Sequence, residues 1–332
     1  MEPIKEVIVN KNTDIKPIWF MRQAGRYLPE FRAIRAKNTN FIELCLNKNL
    51  VPEITLQPLK RFNLDAAIVF SDILMLPYGI GQEVEFKKDF GPLLGSIDDI
   101  DLNNLKYADF TNRLKPVYES LQNLSNVIKG QNKSLIGFVG APWTLLVYML
   151  NKKSPKKNLS GEFKNFKNKD KLIQIVIEYL KLHIKNQINS GSTIIQIFDS
   201  WAGLANQNEI DHFIYEPTAE LVKYVKSLNT PVICFPRDIK DYNQYIKKVN
   251  PDAVNIDYNI DIKKAVKDLD IPIQGGLDPK ILLGDKDDLK REVKKILINF
   301  KNHPYIFNLG HGVLPQTDPD TVSYLINLVR EY

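Results

Sequence analysis

Cysteine is almost absent: Cys45 and Cys234 are the only two in 332 residues. No disulfide framework and no CxxC metal knuckle can be built from them, and so low a count fits a reducing compartment. Long hydrophobic runs are missing too. The longest near-apolar stretch, Leu135 to Leu150, is interrupted by Pro142, Trp143 and Thr144 and falls short of the ~20 residues a membrane span requires. Met1-Glu2-Pro3-Ile4-Lys5-Glu6 has neither the basic start nor the apolar stretch of a signal peptide. A soluble, cytoplasmic protein with no membrane partner is the expectation. Charge of one sign is modest, 45 Lys+Arg against 39 Asp+Glu for a formal net charge of +6. That is too mild to argue for a nucleic-acid partner, though it suits an anionic small ligand. Neither GxGxxG, GxxxxGK[ST], GxSxG nor HExxH occurs, so nucleotide, nucleophile-elbow and zinc chemistry all lack their signatures. A cofactor-free, metal-free site is expected.

What the chain does have is ordinary globular composition, 44% hydrophobic and 25% charged residues, arranged in a regular alternation. Short Val/Ile/Phe-rich runs at Pro17–Phe20, Ala66–Phe70, Ser134–Val139, Thr193–Phe198, Pro231–Phe235, Ala253–Asp257, Ile271–Gly275 and Tyr305–Leu309 read as strands. Amphipathic segments lie between them. In Leu172 to Ile188, one face carries Leu172, Val176, Tyr179, Leu180 and Ile184; in Asp287 to Phe300 it carries Leu289, Val293, Ile296, Leu297 and Phe300. Eight strands alternating with helices predict a single (β/α)8 barrel domain over 1–332. An open doubly wound sheet is the rival, but its first turn is normally glycine-rich. Gln82 to Pro92 reads as a small hairpin. Asn151 to Asp170, with seven lysines, reads as a solvated loop before it reads as a basic lid.

In such a barrel the chemistry gathers just after the strands' C-terminal ends. Arg22 and Arg26 follow the first strand; Ser71 and Asp72 follow the second. Gly140-Ala141-Pro142-Trp143-Thr144 follows the third, with Tyr148 one turn on. Asp199, Ser200 and Trp201 close the fourth, Asp257 and Tyr258 the sixth, Gly275-Gly276 the seventh and Gly310-His311-Gly312 the eighth. Of nine arginines, four (Arg22, Arg26, Arg32, Arg35) crowd into one short segment of a chain that otherwise prefers lysine. A guanidinium grips a carboxylate or phosphate through two parallel hydrogen bonds, which a lysine does not. Arg22 and Arg26, flanking Gly25, therefore point to a ligand with several acidic groups. Arg32 serves equally well in ion pairs to Glu30 or Glu43. Asp72, followed by Ile73-Leu74-Met75-Leu76, is an acid in apolar company and needs a cationic or hydrogen-donating partner. Of four histidines only His311 falls on the rim; His183 and His212 read as helix-surface residues, and His303 precedes Pro304 in a turn.

These segments have a family likeness. Pro17-Ile18-Trp19-Phe20-Met21-Arg22-Gln23-Ala24-Gly25-Arg26-Tyr27-Leu28-Pro29-Glu30 resembles the N-terminal signature of the uroporphyrinogen decarboxylases, and Gly137-Phe138-Val139-Gly140-Ala141-Pro142-Trp143-Thr144 resembles their second signature. The segments Ser71-Asp72-Ile73-Leu74, Phe198-Asp199-Ser200-Trp201-Ala202-Gly203 and Asn308-Leu309-Gly310-His311-Gly312 match as well, so the likeness runs from residue 17 to 312. Two departures stand out. Asn151-Lys152-Lys153-Ser154-Pro155 replaces a glycine-rich turn, and Gly275-Gly276-Leu277-Asp278-Pro279 replaces Gly-Asn-Leu-Asp-Pro.

The resemblance implies a cofactor-independent carboxy-lyase of haem biosynthesis, a (β/α)8 barrel and often a homodimer. Its reaction removes CO2 from the four acetate arms of uroporphyrinogen III to give coproporphyrinogen III. Carried over residue by residue, it implies that Arg22, Gln23, Ala24, Gly25 and Arg26 form the substrate-binding loop. Asp72 would accept hydrogen bonds from the pyrrole N–H groups, Tyr148, Ser200 and His311 would contact carboxylates, and Arg35 would be a further basic contact. Arg22, Arg26 and Asp72 stand as the catalytic candidates. The proton donor stays open among His311, Tyr148 and water. A related zinc-dependent barrel methyltransferase and a non-catalytic tetrapyrrole carrier remain as rivals.

Overall fold

The computed structural model describes residues 2–87, 90–156 and 158–332. Lys88 and Asp89 of the expected hairpin and Lys157 of the lysine-rich stretch lie outside the described residues. Among the described residues nine strands form: β1 (Ala66–Ile68), β2 (Val84–Lys87), β3 (Gly91–Leu94), β4 (Ser134–Gly140), β5 (Ile194–Asp199), β6 (Val232–Pro236), β7 (Ala253–Ile256), β8 (Ile273–Gly275) and β9 (Tyr305–Ile306). Seven of them make one parallel sheet in the order β1-β4-β5-β6-β7-β8-β9, while β2 and β3 pair antiparallel as the expected hairpin.

The segment Pro17–Phe20 closes the sheet on itself. Ile18 bridges Phe307 in parallel, with Phe307 N–H donating to the Pro17 carbonyl at 2.8 Å and Trp19 N–H to the Phe307 carbonyl at 3.3 Å. On its other side the Asp65 N–H donates to the Ile18 carbonyl at 2.9 Å, and the Asp65 carboxylate accepts the Ile18 N–H at 2.7 Å. A side chain thus supplies a bond that a neighbouring strand would supply elsewhere. Pro17–Phe20 is therefore a stave with one bridge, and with it the barrel has eight parallel staves. Arg330, near the end of helix Pro319–Arg330, donates to the same Asp65 carboxylate at 2.7 Å and ties the last helix to this seam.

Alternation along each strand sorts the side chains into two cores. Ala67, Leu135, Val139, Ile195, Ile197, Val232, Cys234 and Val254 face the surrounding helices. Ala66, Ile68, Ile136, Ile194, Ile233, Ala253 and Ile306 fill the barrel, whose N-terminal end is plugged by Ile4, Val7 and Ile8 of helix Pro3–Asn10. Above these apolar residues lies a buried polar layer. Trp19 Nε1 donates to Gln274 Oε1 at 2.9 Å, and Gln274 Nε2 donates to Asn255 Oδ1 at 2.9 Å and Gln196 Oε1 at 3.2 Å. These bonds pair the Gln274 amide on both its oxygen and its nitrogen, as burial requires, while Gln196 Nε2 meets no acceptor among the described residues. Higher still come Phe138 and Phe198, half-buried, with ring centroids 5.6 Å apart. They form an aromatic floor at the C-terminal mouth.

The sequence reading of His183 needs correction. It is buried in helix Lys169–Asn189, its Nδ1 lying 3.0 Å from the Tyr118 hydroxyl, and burial lowers its pKa to about 3. His212 is on the surface as expected, 2.6 Å from Asp170.

Candidate active site

The loop after Pro17–Phe20 is built around one residue in an unusual conformation. Arg22 has φ 60, in the left-handed region that a non-glycine residue adopts reluctantly. Gln23 holds that turn in place. Its side chain is fully buried, accepting from Phe20 N–H at 3.1 Å and donating to the Ala66 carbonyl at 2.9 Å, while Tyr27 donates its hydroxyl to the Gln23 carbonyl at 2.9 Å. Gln23 thus supports the loop rather than facing the mouth. Gly25 is needed because a Cβ there would sit 2.8 Å from the Arg22 carbonyl oxygen. Ala24 packs, half-buried, against the outer core.

Arg26 is exposed, close enough to Arg22 to depress its pKa. Arg32 makes neither ion pair expected of it. It donates to the Arg26 and Tyr27 carbonyls, both at 2.9 Å, while Glu30 pairs with Arg61. Arg35 turns elsewhere, donating to the Asn38 carbonyl at the end of its own helix and lying over the Phe41 ring.

Asp72 leaves the end of the second stave with its carboxyl accepting the Leu74 N–H at 2.9 Å. Burial raises its pKa to about 6, opposed by that hydrogen bond and by the Arg22 charge. At pH 7 the group is therefore mainly ionised, but only by a narrow margin. Asp72 keeps some contact with solvent, and Arg22 is exposed, yet surrounding protein is the chief cause of the shift on both. Both groups are crowded by neighbouring protein without being covered by it. The Arg22–Asp72 attraction closes no ion pair among the described residues, which leaves both charges free to meet a ligand.

Tyr148, nearly two turns into helix Pro142–Asn151, has its pKa raised by burial and by Asp72, and lowered by the Ser154 hydroxyl, the Trp201 side chain and Arg22. Its ring centroid is 6.0 Å from that of Trp201, whose indole N–H faces the phenol without closing a hydrogen bond of good geometry. The phenol is therefore a proton-bearing group at neutral pH. His311, half-buried, has its pKa lowered to about 4 by burial, then by Arg22 and Arg237. It is a neutral imidazole at pH 7. Ser200 sits half-buried on a turn whose neighbours are tightly held. Thr144 Oγ1 donates to the buried Asp199 carboxyl at 2.6 Å and accepts the Trp201 N–H at 3.1 Å, and Trp143 Nε1 donates to the Trp201 carbonyl at 2.8 Å.

The structure thus gathers Asp72, Tyr148 and His311 around the charge of Arg22, with Asp72 also acting on Tyr148, Arg26 beside Arg22 and Ser200 on the adjoining turn. It keeps Gln23 behind the loop and Arg35 on its own helix. Two residues that the sequence does not single out join the group. Ser154, from the lysine-rich stretch, reaches Tyr148 because Asn151 folds the chain back, donating to the Lys153 carbonyl at 2.8 Å and accepting Ser160 N–H at 2.7 Å. Arg237 follows β6. Its signal is the strand-end rule itself, applied to the fifth run.

Among the described residues no cluster of three or more His, Cys, Asp or Glu side chains is placed to hold a metal. Cys45 and Cys234 are buried, and burial raises both thiol pKa values, that of Cys234 to about 12.

The profile of the uroporphyrinogen decarboxylase family matches residues 1–332. The chain belongs to that family. It is 38% identical over 338 residues to a Rickettsia felis protein named uroporphyrinogen decarboxylase, covering 99% of this chain and 97% of that one. A Rickettsia bellii protein of the same name is 41% identical over 330 residues, covering 97% of each. Among solved structures, a methyltransferase from Methanosarcina mazei superposes with a TM-score of 0.79 at 16% identity, covering 99% of this chain and 97% of that one. So distant a likeness speaks for the shared barrel alone.

Proposed function

We propose that this barrel, one domain over residues 1–332, removes the four acetate carboxyls of uroporphyrinogen III as CO2, giving coproporphyrinogen III, with Asp72 as the central catalytic group. The observation that carries the assignment of Asp72 is its carboxylate, desolvated and coupled to Arg22 yet paired with no cation among the described residues. Such a group favours a ligand that donates N–H bonds to it, and favours it more once that ligand turns positive.

Decarboxylation of an acetate arm requires somewhere for the electrons of the broken C–C bond to go. Protonation of a pyrrole ring carbon makes a cationic iminium conjugated to the arm. Loss of CO2 returns the electron pair to the ring as an exocyclic methylene. A second proton at that carbon makes the methyl group, and departure of the first proton from the ring carbon restores the neutral pyrrole. The substrate supplies its own electron sink, which supports a reaction without a cofactor. A fixed carboxylate stabilises the cation more than the neutral ring, and this difference lowers the barrier. Arg22 and Arg26 grip carboxylates and position the ring over Phe138 and Phe198. Ser200 and Tyr148 add hydrogen-bond contacts. The lowered pKa of His311 supports a role for it as a neutral hydrogen-bonding contact, and at pH 7 only about one molecule in 10³ would carry its imidazolium.

The family resemblance supports a homodimer, and two buried unpaired thiols fit a reducing, cytoplasmic setting. No helix among the described residues is long and apolar enough to cross a membrane. Anaerobic incubation with uroporphyrinogen III, followed by oxidation and chromatography, tests the activity. A tetracarboxylate porphyrin as end product, unaffected by prior dialysis against chelator, is the expected result. Return of the octacarboxylate unchanged would refute it.

A further inference from the structure

Arg237 is fixed more firmly than a surface residue requires. Its N–H donates to the Asp199 carbonyl at 3.1 Å, and its own carbonyl accepts the Gly203 N–H at 3.1 Å. The next residue, Asp238, takes φ 59 and donates its N–H to the Asp257 carboxyl at 2.8 Å. Gly203 presses so close that a Cβ there would lie 2.6 Å from Asp238 Cβ. Asp257 in turn accepts the Tyr242 hydroxyl at 3.0 Å. The ends of three adjacent strands, β5, β6 and β7, thus converge on the backbone that carries Arg237.

That side chain is mostly enclosed, 29% exposed, yet poorly partnered. Its one ion-pair contact among the described residues is Nε to the exposed Asp238 at 3.5 Å. The two terminal nitrogens of its fork meet no hydrogen-bond acceptor among them. Neither terminal nitrogen is buried without a partner, so both stay open to water and to an arriving acid, which a planar fork takes through two parallel hydrogen bonds. Its charge also reaches the mouth. Arg237 lies near enough to Arg22 and His311 to depress the pKa of both.

We propose that Arg237 is a substrate-binding residue, its fork gripping a carboxylate arm of the tetrapyrrole at the wall formed by β5 and β6. It adds a third guanidinium contact to those of Arg22 and Arg26. The proposal rests on the tetrapyrrole reading of the site and extends it to the fifth strand end.

The test compares Arg237→Gln, Arg237→Lys and Asp238→Asn with wild type, each first shown to unfold at the wild-type midpoint. Two readouts are taken: KM and kcat for anaerobic uroporphyrinogen, and the Kd of oxidised uroporphyrin from its own fluorescence. Loss of a two-pronged contact to a charged group should raise KM and Kd about tenfold or more in Arg237→Gln, with kcat changing less. Arg237→Lys should fall between, because a point charge restores attraction but not the fork. Asp238→Asn should stay within about twofold, since it leaves the guanidinium in place. Kd and KM unchanged in Arg237→Gln would overturn the proposal. So would an equal loss in Asp238→Asn, which would reduce Arg237 to a prop for its loop. If Arg237→Gln does not fold, Arg237→Lys decides on the same criteria. A wild-type protein that binds uroporphyrin without decarboxylating uroporphyrinogen would refute the activity while leaving the Kd comparison readable.

Discussion

Gly312 lies directly against Arg22: a Cβ on Gly312 would come within 2.4 Å of Arg22 Cδ and 2.7 Å of Cγ. The clash falls at the root of the side chain, where the guanidinium cannot swing clear without the left-handed turn at Arg22 giving way. The Val313 N–H donates to the Met21 carbonyl at 2.9 Å, which locks the two loops together and leaves no slack. Gly312→Ala should therefore lower kcat/KM by about tenfold or more, through displacement of Arg22. Wild-type kcat/KM in that variant would show that catalysis does not depend on where Arg22 is held.

Asp72 sets function against stability. Its folded-state pKa, raised from 3.8 to about 6, means that the folded protein prefers the neutral acid. For an acid shifted upward, ionisation weakens the fold as pH rises from about 4 through 6, and the penalty persists at neutral pH. About two pKa units correspond to about 2–3 kcal/mol. Asp72→Asn should accordingly be inactive yet more stable than wild type by up to that amount at pH 7.5. The advantage should vanish near pH 4, where both carry a neutral group. Urea titrations at the two pH values check the prediction, and a variant less stable than wild type at pH 7.5 would refute it.

Much of this site is legible in the order of residues along the chain. Strand runs rich in Val and Ile are visible because the inner and outer faces of a barrel stave are both buried, so β4 to β7 begin and end within a residue or two of their sequence runs. Pro17–Phe20 reads as a full strand because the sequence does not reveal that the Asp65 carboxylate will take the Ile18 N–H. His183 is misread although its spacing carries the answer: Leu172, Val176, Leu180, His183 and Gln187 fall on one buried stripe of a helix, three or four residues apart. Its polarity draws it to the surface in a reading by residue type, while Tyr118 makes burial tolerable. Gln23 and Ser154 are harder. One is a polar residue in a binding loop that turns inward, and the other joins the site only through a fold-back held by Asn151. Contacts of that kind are made by tertiary structure and leave no period in the sequence.

The same carboxyl sets the acid side of the pH profile. If the ionised form of Asp72 is the catalytic one, kcat/KM should fall about tenfold per pH unit below about 6. His311, with its pKa near 4, should add no step between pH 5 and 8. His311→Gln should therefore change the height of the profile and leave the position of its acid limb alone. A limb that moves in His311→Gln would transfer the titration from Asp72 to the imidazole.

The fold-back at Asn151 supplies the last test, because it separates a hydroxyl's effect on Tyr148 from the loop's own stability. Ser154 lowers the Tyr148 pKa against the burial that raises it, so its hydroxyl stabilises electron density on the phenol oxygen. Ser154→Ala removes that interaction and leaves the loop's backbone bonds intact. It should reduce kcat severalfold with an unchanged unfolding midpoint. Asn151→Ala removes the hydrogen bonds to the Lys153 carbonyl and from the Ser160 N–H, and should cost about 1 kcal/mol as two partly buried backbone groups lose their partner. It should also reproduce the kinetic defect of Ser154→Ala, since the hydroxyl then has nothing to hold it beside the ring. The double variant should be no slower than Asn151→Ala alone. Additive losses in the double variant would mean that Asn151 acts on the site by some route other than placing Ser154, which kinetics and urea unfolding on the four proteins would reveal together.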